Sequence, residues 1–185
     1  MNEVLKTIEQ RFSCRGYDGR PVEREKLEIM AKAALQAPSA MNIQPWEIIV
    51  INDKGLVDEL DAAAMEVLGA NPDKTGYNRI MERGGKVFYN APCMFLILKH
   101  ADAKWGDMDC GILTQNICLA ASSMGVDNVI VGMGAIPFNG PKGEELKKRV
   151  NWPAGLQFGM GVLVGYGNVT KEPHEIDARK LSFLK

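Results

Sequence analysis

The sequence predicts a mixed α/β fold in which helices flank both sides of one central sheet. Two observations support this fold class. Segments with apolar residues at helical spacing alternate along the chain with short apolar runs that are typical of buried strands. The 185 residues are 46% hydrophobic, which suffices for one sizeable core, and the composition changes abruptly nowhere. We therefore expect residues 1–185 to form a single domain.

The predicted elements follow from apolar spacing and from the residues that begin and end helices. Asp53 is a candidate N-cap for one helix, and Asp107 or Asp109 for another. The first strand is rich in β-branched residues and is expected to be buried on both faces. The predicted helices cover residues 2–10, 21–37, 53–69, 107–124 and 141–150, and the predicted strands cover residues 46–51, 93–98, 126–131 and 157–166.

Charge and cysteine content exclude several classes of protein. Lys and Arg total 22 against 23 Asp and Glu, so neither a nucleic-acid surface nor an anionic-membrane surface is expected. Residues 1–10 contain three charged side chains and no apolar run, which predicts a cytoplasmic protein with no membrane anchor. The four cysteines form no Cys-x-x-Cys pair and predict reduced thiols rather than a metal site. Cys14 is either a core thiol like the others or one whose pKa is lowered between Phe12 and Arg15.

Known catalytic signatures are absent from the sequence. Neither Gly132-x-Gly134 nor Gly159-x-Gly161 continues into the Gly-x-Gly-x-x-Gly pattern of a Rossmann dinucleotide site. A Gly-x-Ser-x-Gly elbow and a His-Glu-x-x-His motif are also missing, which argues against a hydrolase.

Two short polar stretches are candidates for ligand binding. Residues 37–46 lie between a predicted helix and a predicted strand, and two prolines are expected to present Ser39, Asn42 and Gln44 in an extended geometry. An ordinary helix-to-strand connection explains the same composition. Arg11 and Arg15 flank Ser13, a combination of donors that suits a phosphate. Alternatively, these arginines only offset the carbonyl dipole at a helix end.

Three further segments have open interpretations. Gly132-Met133-Gly134 either lets a flat ligand approach the backbone or makes a tight turn. Residues 71–86 are polar and poorly periodic, which predicts a mobile segment near an open site. The tail, residues 168–185, contains apolar side chains with no core of its own, so it either frays or docks on an apolar surface such as that of a second copy.

Taken together, these motifs resemble the FMN-dependent nitroreductase family in their order and spacing over nearly the whole chain. The resemblance rests on Arg11-x-Ser13-x-Arg15-x-Tyr17, Ala37-Pro38-Ser39-Ala40-x-Asn42-x-Gln44-Pro45-Trp46, Asp109-x-Gly111 through Gln115-Asn116 to Gly125, and Gly161 to Gly165-Tyr166. The chain departs from the family in lacking a long excursion near the flavin, and the alignment of Asn78 and Arg79 is not fixed.

The resemblance implies an α+β homodimer that holds two FMN molecules at its subunit interface, with each carboxy-terminal tail crossing to the partner. The matched positions assign the FMN phosphate to Arg11, Ser13 and Arg179, and the ribityl chain and pyrimidine edge to Arg15. Contributions from the other subunit would come from Pro38, Ser39 and Asn42. Gly132, Met133 and Gly134 would lie near the flavin ring, with a backbone amide within reach of the flavin N5.

The implied activity is an FMN-dependent oxidoreductase that takes hydride from NAD(P)H and reduces a small electron acceptor. A nitroaromatic, a quinone or a similar electron-poor compound would be the acceptor, with ping-pong kinetics. No protein side chain is assigned as an acid or a base, because a flavin performs the redox chemistry itself. The alternatives are a specialised enzyme of the same fold, such as a dehalogenase or azole oxidase, and a flavin-binding protein without significant turnover.

Overall fold

A computed structural model describes residues 1–172 and 175–184 and contains one four-stranded sheet with helices on both sides. Three short 3-10 helices, Ala40–Asn42, Gly132–Asn139 and Ala178–Lys180, supplement the main elements. The helices are α1 (Glu3–Gln10), α2 (Arg24–Leu35), α3 (Lys54–Ala70), α4 (Thr75–Met81), α5 (Gly106–Ser123) and α6 (Gly143–Arg149), and the strands are β1 (Trp46–Ile51), β2 (Cys93–His100), β3 (Asp127–Val131) and β4 (Leu156–Gly165).

The sheet is antiparallel throughout, in the order β1-β2-β4-β3. Side chains of β2 alternate between the two faces, with Met94 and Leu96 in one apolar core and Phe95 and Ile97 in the other. The first core is closed by α3, and the second by α2 and α5. The predicted fold class, a sheet flanked by helices on both sides, is therefore confirmed. The assignment of residues 1–185 to one domain stays a prediction.

Strand β1 is less buried than its composition predicts. It lies at one edge of the sheet, and Glu47 and Val50 are exposed. The expectation of burial on both faces was wrong, because burial depends on the order of strands in the sheet and not on apolar composition alone.

The start of α5 also differs from the prediction. The helix begins at Gly106, so Asp107 and Asp109 lie in its first turn and neither is the N-cap. Asp107 pairs with Lys99 on β2 at 2.9 Å, and Asp109 accepts a hydrogen bond from the Ala40 amide at 3.1 Å. Both carboxylates therefore bind groups outside α5 and do not cap the helix. By contrast, Asp53 caps α3 as predicted, accepting from the Leu56 amide at 3.2 Å.

Residues 71–86 contain helix α4, which poor periodicity did not predict. The mobility expected of this segment stays a prediction. The tail beyond β4 leaves large apolar side chains uncovered, with Phe183 90% exposed and Leu184 98% exposed. Within the described ranges, no helix combines the length and the apolar composition that a membrane span requires.

Candidate functional site

The stretch from Arg11 to Tyr17 is fixed against the sheet at both of its ends. Ser13 forms a parallel bridge with Asn128 on β3, and the Cys14 amide donates to the Asn128 carbonyl at 3.0 Å. Tyr17 pairs with Gly167, and its hydroxyl donates to the Leu163 carbonyl at 3.3 Å. These contacts fix the backbone of the stretch, and therefore the directions in which its side chains point. The sequence segment chosen as a phosphate candidate is therefore rigidly attached beside β3.

Cys14 is fully buried in this stretch, at 0% exposure. Burial raises the pKa of its thiol, and the negative charge of Asp127 acts in the same direction. Of the two alternatives for Cys14, the one in which its setting between Phe12 and Arg15 lowers the thiol pKa was wrong. Arg15 is exposed to solvent, whereas the thiol packs into the interior. All four cysteines are free and buried, as the sequence predicted.

Arg11 is the first of the two candidate cations. It ends α1 as the C-cap residue, and its amide donates to the Thr7 carbonyl. Its side chain is half-buried, and the Nη1 atom is buried without any hydrogen-bond partner. The group lines a pocket of about 140 Å³ together with Ser122 and Asp127. A buried guanidinium nitrogen that lacks an acceptor is costly, and an anionic ligand at this position would supply one.

Arg15 lines a larger pocket of about 440 Å³ with Arg83 and Tyr89. Among the described residues, no carboxylate pairs with either arginine. Two uncompensated cations and a phenol therefore face one open space. This arrangement favours an electron-rich or anionic planar group.

Sequence reasoning missed Arg83. Asn78 and Arg79, whose alignment the motifs did not fix, are exposed on α4 and do not line this pocket. The available signal was the pair Gly84-Gly85, which has φ of 96° and 70° and turns the chain just after α4. Arg83 directly precedes this turn and lines the pocket together with Arg15.

Gly132, Met133 and Gly134 begin a 3-10 helix directly after β3. A side chain at Gly132 would meet nothing within 4 Å, whereas one at Gly134 would lie 3.1 Å from the Phe158 ring. Met133 is half-buried against the first core. Open space is thus available at Gly132, and Gly134 is explained by packing against Phe158.

The loop after α2 is not extended, contrary to the prediction. It contains a 3-10 turn, and Met41, Asn42 and Gln44 have φ of 52°, 56° and 49°. Ser39 Oγ accepts from the Gln44 amide at 2.9 Å, and the Gln44 side-chain amide donates to Asn42 Oδ1 at 2.9 Å. Hydrogen bonds within the loop outweigh the extended bias of the prolines.

Pro38 and Ser39 line a separate pocket of about 450 Å³ with the amino-terminal end of α5. Its walls are mainly apolar, with Trp105, Met108 and Ile112 contributing. The structure therefore groups Arg15 with Arg83 but not with Pro38 and Ser39. Arg179 is exposed, pairs with Asp177 at 2.8 Å, and lines none of these pockets. Across the residues described, no cluster of His, Cys, Asp and Glu has the geometry of a metal site.

Comparison with known proteins settles the family. The sequence profile described as "Nitroreductase family" matches residues 8–166. The chain belongs to the nitroreductase family. The resemblance stated from the motifs is therefore confirmed, and so is the nitroreductase fold.

Individual relatives are consistent with this assignment. A crystal structure of a nitroreductase with bound FMN from Desulfitobacterium hafniense is 43% identical, covers 100% of both chains and has a TM-score of 0.95. A protein of Archaeoglobus fulgidus, provisionally named an NADH dehydrogenase/NAD(P)H nitroreductase, is 30% identical over 97% of this chain and 94% of its own length. The iodotyrosine deiodinase of Thermotoga neapolitana is 24% identical, with 90% and 89% covered.

Proposed function

We propose that this nitroreductase-family protein binds FMN, takes hydride from NAD(P)H and reduces a nitroaromatic, a quinone or a similar electron-poor compound. The observation that carries the proposal is the buried Nη1 of Arg11, which has no hydrogen-bond partner among the described residues. The 43% identical structure from Desulfitobacterium hafniense, which contains FMN, supports the choice of ligand.

The phosphate end of FMN fits the stretch from Arg11 to Tyr17. Arg11 offers a buried donor without an acceptor, and a phosphate oxygen would supply one. Ser13, attached to β3 through Asn128, offers a hydroxyl on the same stretch. Arg179 was predicted as the third residue that binds the phosphate. It would have to break its ion pair with Asp177 to take that role.

The ring end of FMN fits the pocket lined by Arg15, Arg83 and Tyr89. A flavin ring becomes more electron-rich on reduction, so neighbouring positive charge raises its affinity for electrons. Two guanidinium groups would provide that charge. The open space at Gly132 leaves the nearby backbone accessible to a flat ring, as the sequence hypothesis for Gly132, Met133 and Gly134 requires.

FMN, when bound, supplies a two-electron carrier between NAD(P)H and the acceptor. The chain itself then has three tasks: it holds the phosphate, sets the charge around the ring and shapes access to it. This division predicts ping-pong kinetics, since donor and acceptor use the carrier in turn. The apolar pocket with Trp105 and Met108 supports an uncharged aromatic acceptor.

A homodimer is part of the proposal. In α1 no residue is buried, although Val4, Leu5 and Ile8 share one face at helical spacing. The tail likewise exposes Phe183 and Leu184. Uncovered apolar surface of this kind marks an interaction site. A second copy, with its tail crossing over, would cover these surfaces and bring Pro38, Ser39 and Asn42 to the partner's FMN. The cytoplasmic location expected from the sequence stays a prediction.

Titration of the purified protein with FMN, followed by mixing with NADH or NADPH, tests the proposal. We expect quenching of FMN fluorescence at a stoichiometry of one FMN per chain, then loss of the oxidised-flavin absorption on adding nucleotide, and its return on adding a nitroaromatic. Protein that takes up no FMN would refute the proposal. Bound FMN that neither nucleotide reduces would instead favour a flavin-binding protein without turnover.

One alternative has a specific observation in its favour. The likeness to an iodotyrosine deiodinase extends over 90% of this chain, so a reductive dehalogenase of the same fold is the second candidate. Parallel assays of the reduced protein with an iodophenol and with a nitroaromatic distinguish the two. Faster turnover of the iodophenol would support the alternative. An azole oxidase has no comparable observation behind it.

A further inference from the structure

Asp61 on α3 is one of the few charged residues in the interior, with only 3% of its surface exposed. Its Oδ1 accepts a hydrogen bond from the Phe88 amide at 2.6 Å, and its Oδ2 lies 3.7 Å from Lys86 Nζ. The carboxylate therefore binds two points of the segment that leads from α4 into β2. No residue assigned above to the cofactor explains this contact.

Opposing influences act on the pKa of this buried carboxyl group. Burial raises the pKa of Asp61, and the negative charge of Asp58 acts in the same direction. The Phe88 amide and the ammonium of Lys86 oppose that rise without cancelling it. The geometry gives Asp61 a definite role: it supplies the acceptor that the buried Phe88 amide requires, and it holds that amide in place.

The segment that Asp61 holds forms one wall of the cationic pocket. Tyr89 and Asn90 have φ of 54° and 63°, which is an uncommon backbone conformation for a bulky residue. The Tyr17 amide donates to the Tyr89 carbonyl at 3.2 Å, and the Asn90 side chain donates to the Tyr17 carbonyl at 3.2 Å. This left-handed turn is thereby fixed on one side by Tyr17 and on the other by Asp61.

We propose that Asp61 is a positioning residue for the FMN cleft: by holding the Phe88 amide and Lys86, it fixes the turn that directs Tyr89 into the pocket shared with Arg15. The inference rests on the proposed function, because the pocket is taken as the ring end of the FMN site. Among the described residues, Asp61 makes no hydrogen bond or ion pair to Arg15, Arg83 or Tyr89, so its effect on the pocket passes through the turn.

Asp58 provides a matched control one helical turn earlier. It also faces Lys86, at 3.8 Å, and it pairs with Lys54 at 2.6 Å. Its side chain is 41% exposed, and it makes no hydrogen bond to the turn. Asp58→Asn therefore removes a neighbouring carboxylate on the same lysine while leaving the Phe88 amide held.

The test compares Asp61→Ala, Asp61→Asn and Asp58→Asn by FMN affinity, by the visible circular dichroism of bound FMN and by thermal unfolding without FMN. We expect Asp61→Ala to bind FMN about tenfold more weakly with altered dichroism, because the loss of a buried charge-assisted hydrogen bond frees the turn. Asp61→Asn keeps an acceptor for the amide and should fall between wild type and Asp61→Ala, while Asp58→Asn should stay within about twofold of wild type.

A purely structural role would lower the unfolding temperature and leave the dichroism of bound FMN unchanged. Folded Asp61→Ala protein with wild-type FMN affinity and dichroism would overturn the inference. If that variant does not fold, Asp61→Asn decides in the same way. Wild-type protein that takes up no FMN would instead refute the proposed function, so the two failures are distinguishable.

Discussion

Replacement of Arg11 by alanine is the most informative perturbation of the proposed phosphate contact. Nη1 of Arg11 is buried without a partner, and a phosphate oxygen would give it a charge-assisted hydrogen bond. Such a bond contributes about 1.5–3 kcal/mol, which corresponds to a roughly 10- to 150-fold higher Kd for FMN in the variant. Fluorescence titration of FMN into apoprotein measures this change directly.

Thermal unfolding with and without FMN separates ligand contact from packing. Without FMN, the variant loses the packing of the Arg11 stem but no longer buries a donor without an acceptor, so these opposing changes should leave its unfolding free energy close to that of the wild type. FMN at 100 times the wild-type Kd stabilises the wild type by about 2.7 kcal/mol. With the weakened affinity, the same FMN concentration should stabilise the variant by only about 0.3–1.4 kcal/mol.

Two further variants make this prediction sharp. Arg11→Met keeps an apolar stem and should bind FMN as weakly as Arg11→Ala, while its apoprotein should be at least as stable as the wild-type apoprotein. Arg24→Ala removes an exposed arginine that pairs with Glu28 and should leave FMN affinity unchanged. An Arg11→Ala variant whose Kd lies within about twofold of wild type would refute the reasoning, because the expected loss is at least about tenfold.

Other expectations concern the loop, the thiols and the tail. Asn42→Ala should weaken FMN binding less than Arg11→Ala does, because Asn42 already bonds Gln44; a larger loss by titration would contradict this. Cys14→Ser should leave turnover with NADH intact, since the thiol is buried and its pKa is raised; a large loss would indicate a redox role. Burial raises the pKa of Cys93 to about 12 from 9.0, so its contribution to stability is complete below pH 9 and is lost as pH rises toward 12; urea midpoints at rising pH that fail to fall would contradict it. Removal of residues 181–184 should shift sedimentation toward the monomer, and an unchanged dimer would exclude the tail from the interface.

Most secondary structure could be predicted because apolar spacing and caps are local signals. The run 93–98 is apolar at every position and forms β2, one of the two inner strands of the sheet. The position of each strand within the sheet could not be predicted from these local signals. Strand β1 has a similar composition, yet it lies at the edge, since that outcome depends on how the chain orders its strands. The fold class followed from the pattern, and the strand order did not.

Non-local contacts explain the misassigned details. Asp109 is a residue type that commonly caps helices, but its carboxylate instead accepts a hydrogen bond from the Ala40 amide in a distant loop. Met41 adopts a left-handed conformation that a bulky residue rarely adopts, so the compact loop after α2 had no sequence signal. Tertiary hydrogen bonds decided both cases.

The candidate site was only partly visible in the sequence. Arg11, Ser13 and Arg15 lie close together along the chain, so their grouping required no knowledge of the fold. Arg83 joins Arg15 through the turn after α4, and Asp61 reaches Phe88 from another helix. Residue spacing along the chain predicts neither of these arrangements.

Sedimentation velocity of the FMN-treated protein, recorded at the visible absorption band of flavin, tests the central claim most directly. The account predicts that flavin absorption migrates entirely with a species of twice the 20.3 kDa chain mass. Flavin that sediments as the free small molecule, or with a single chain, would contradict an FMN site formed between two copies.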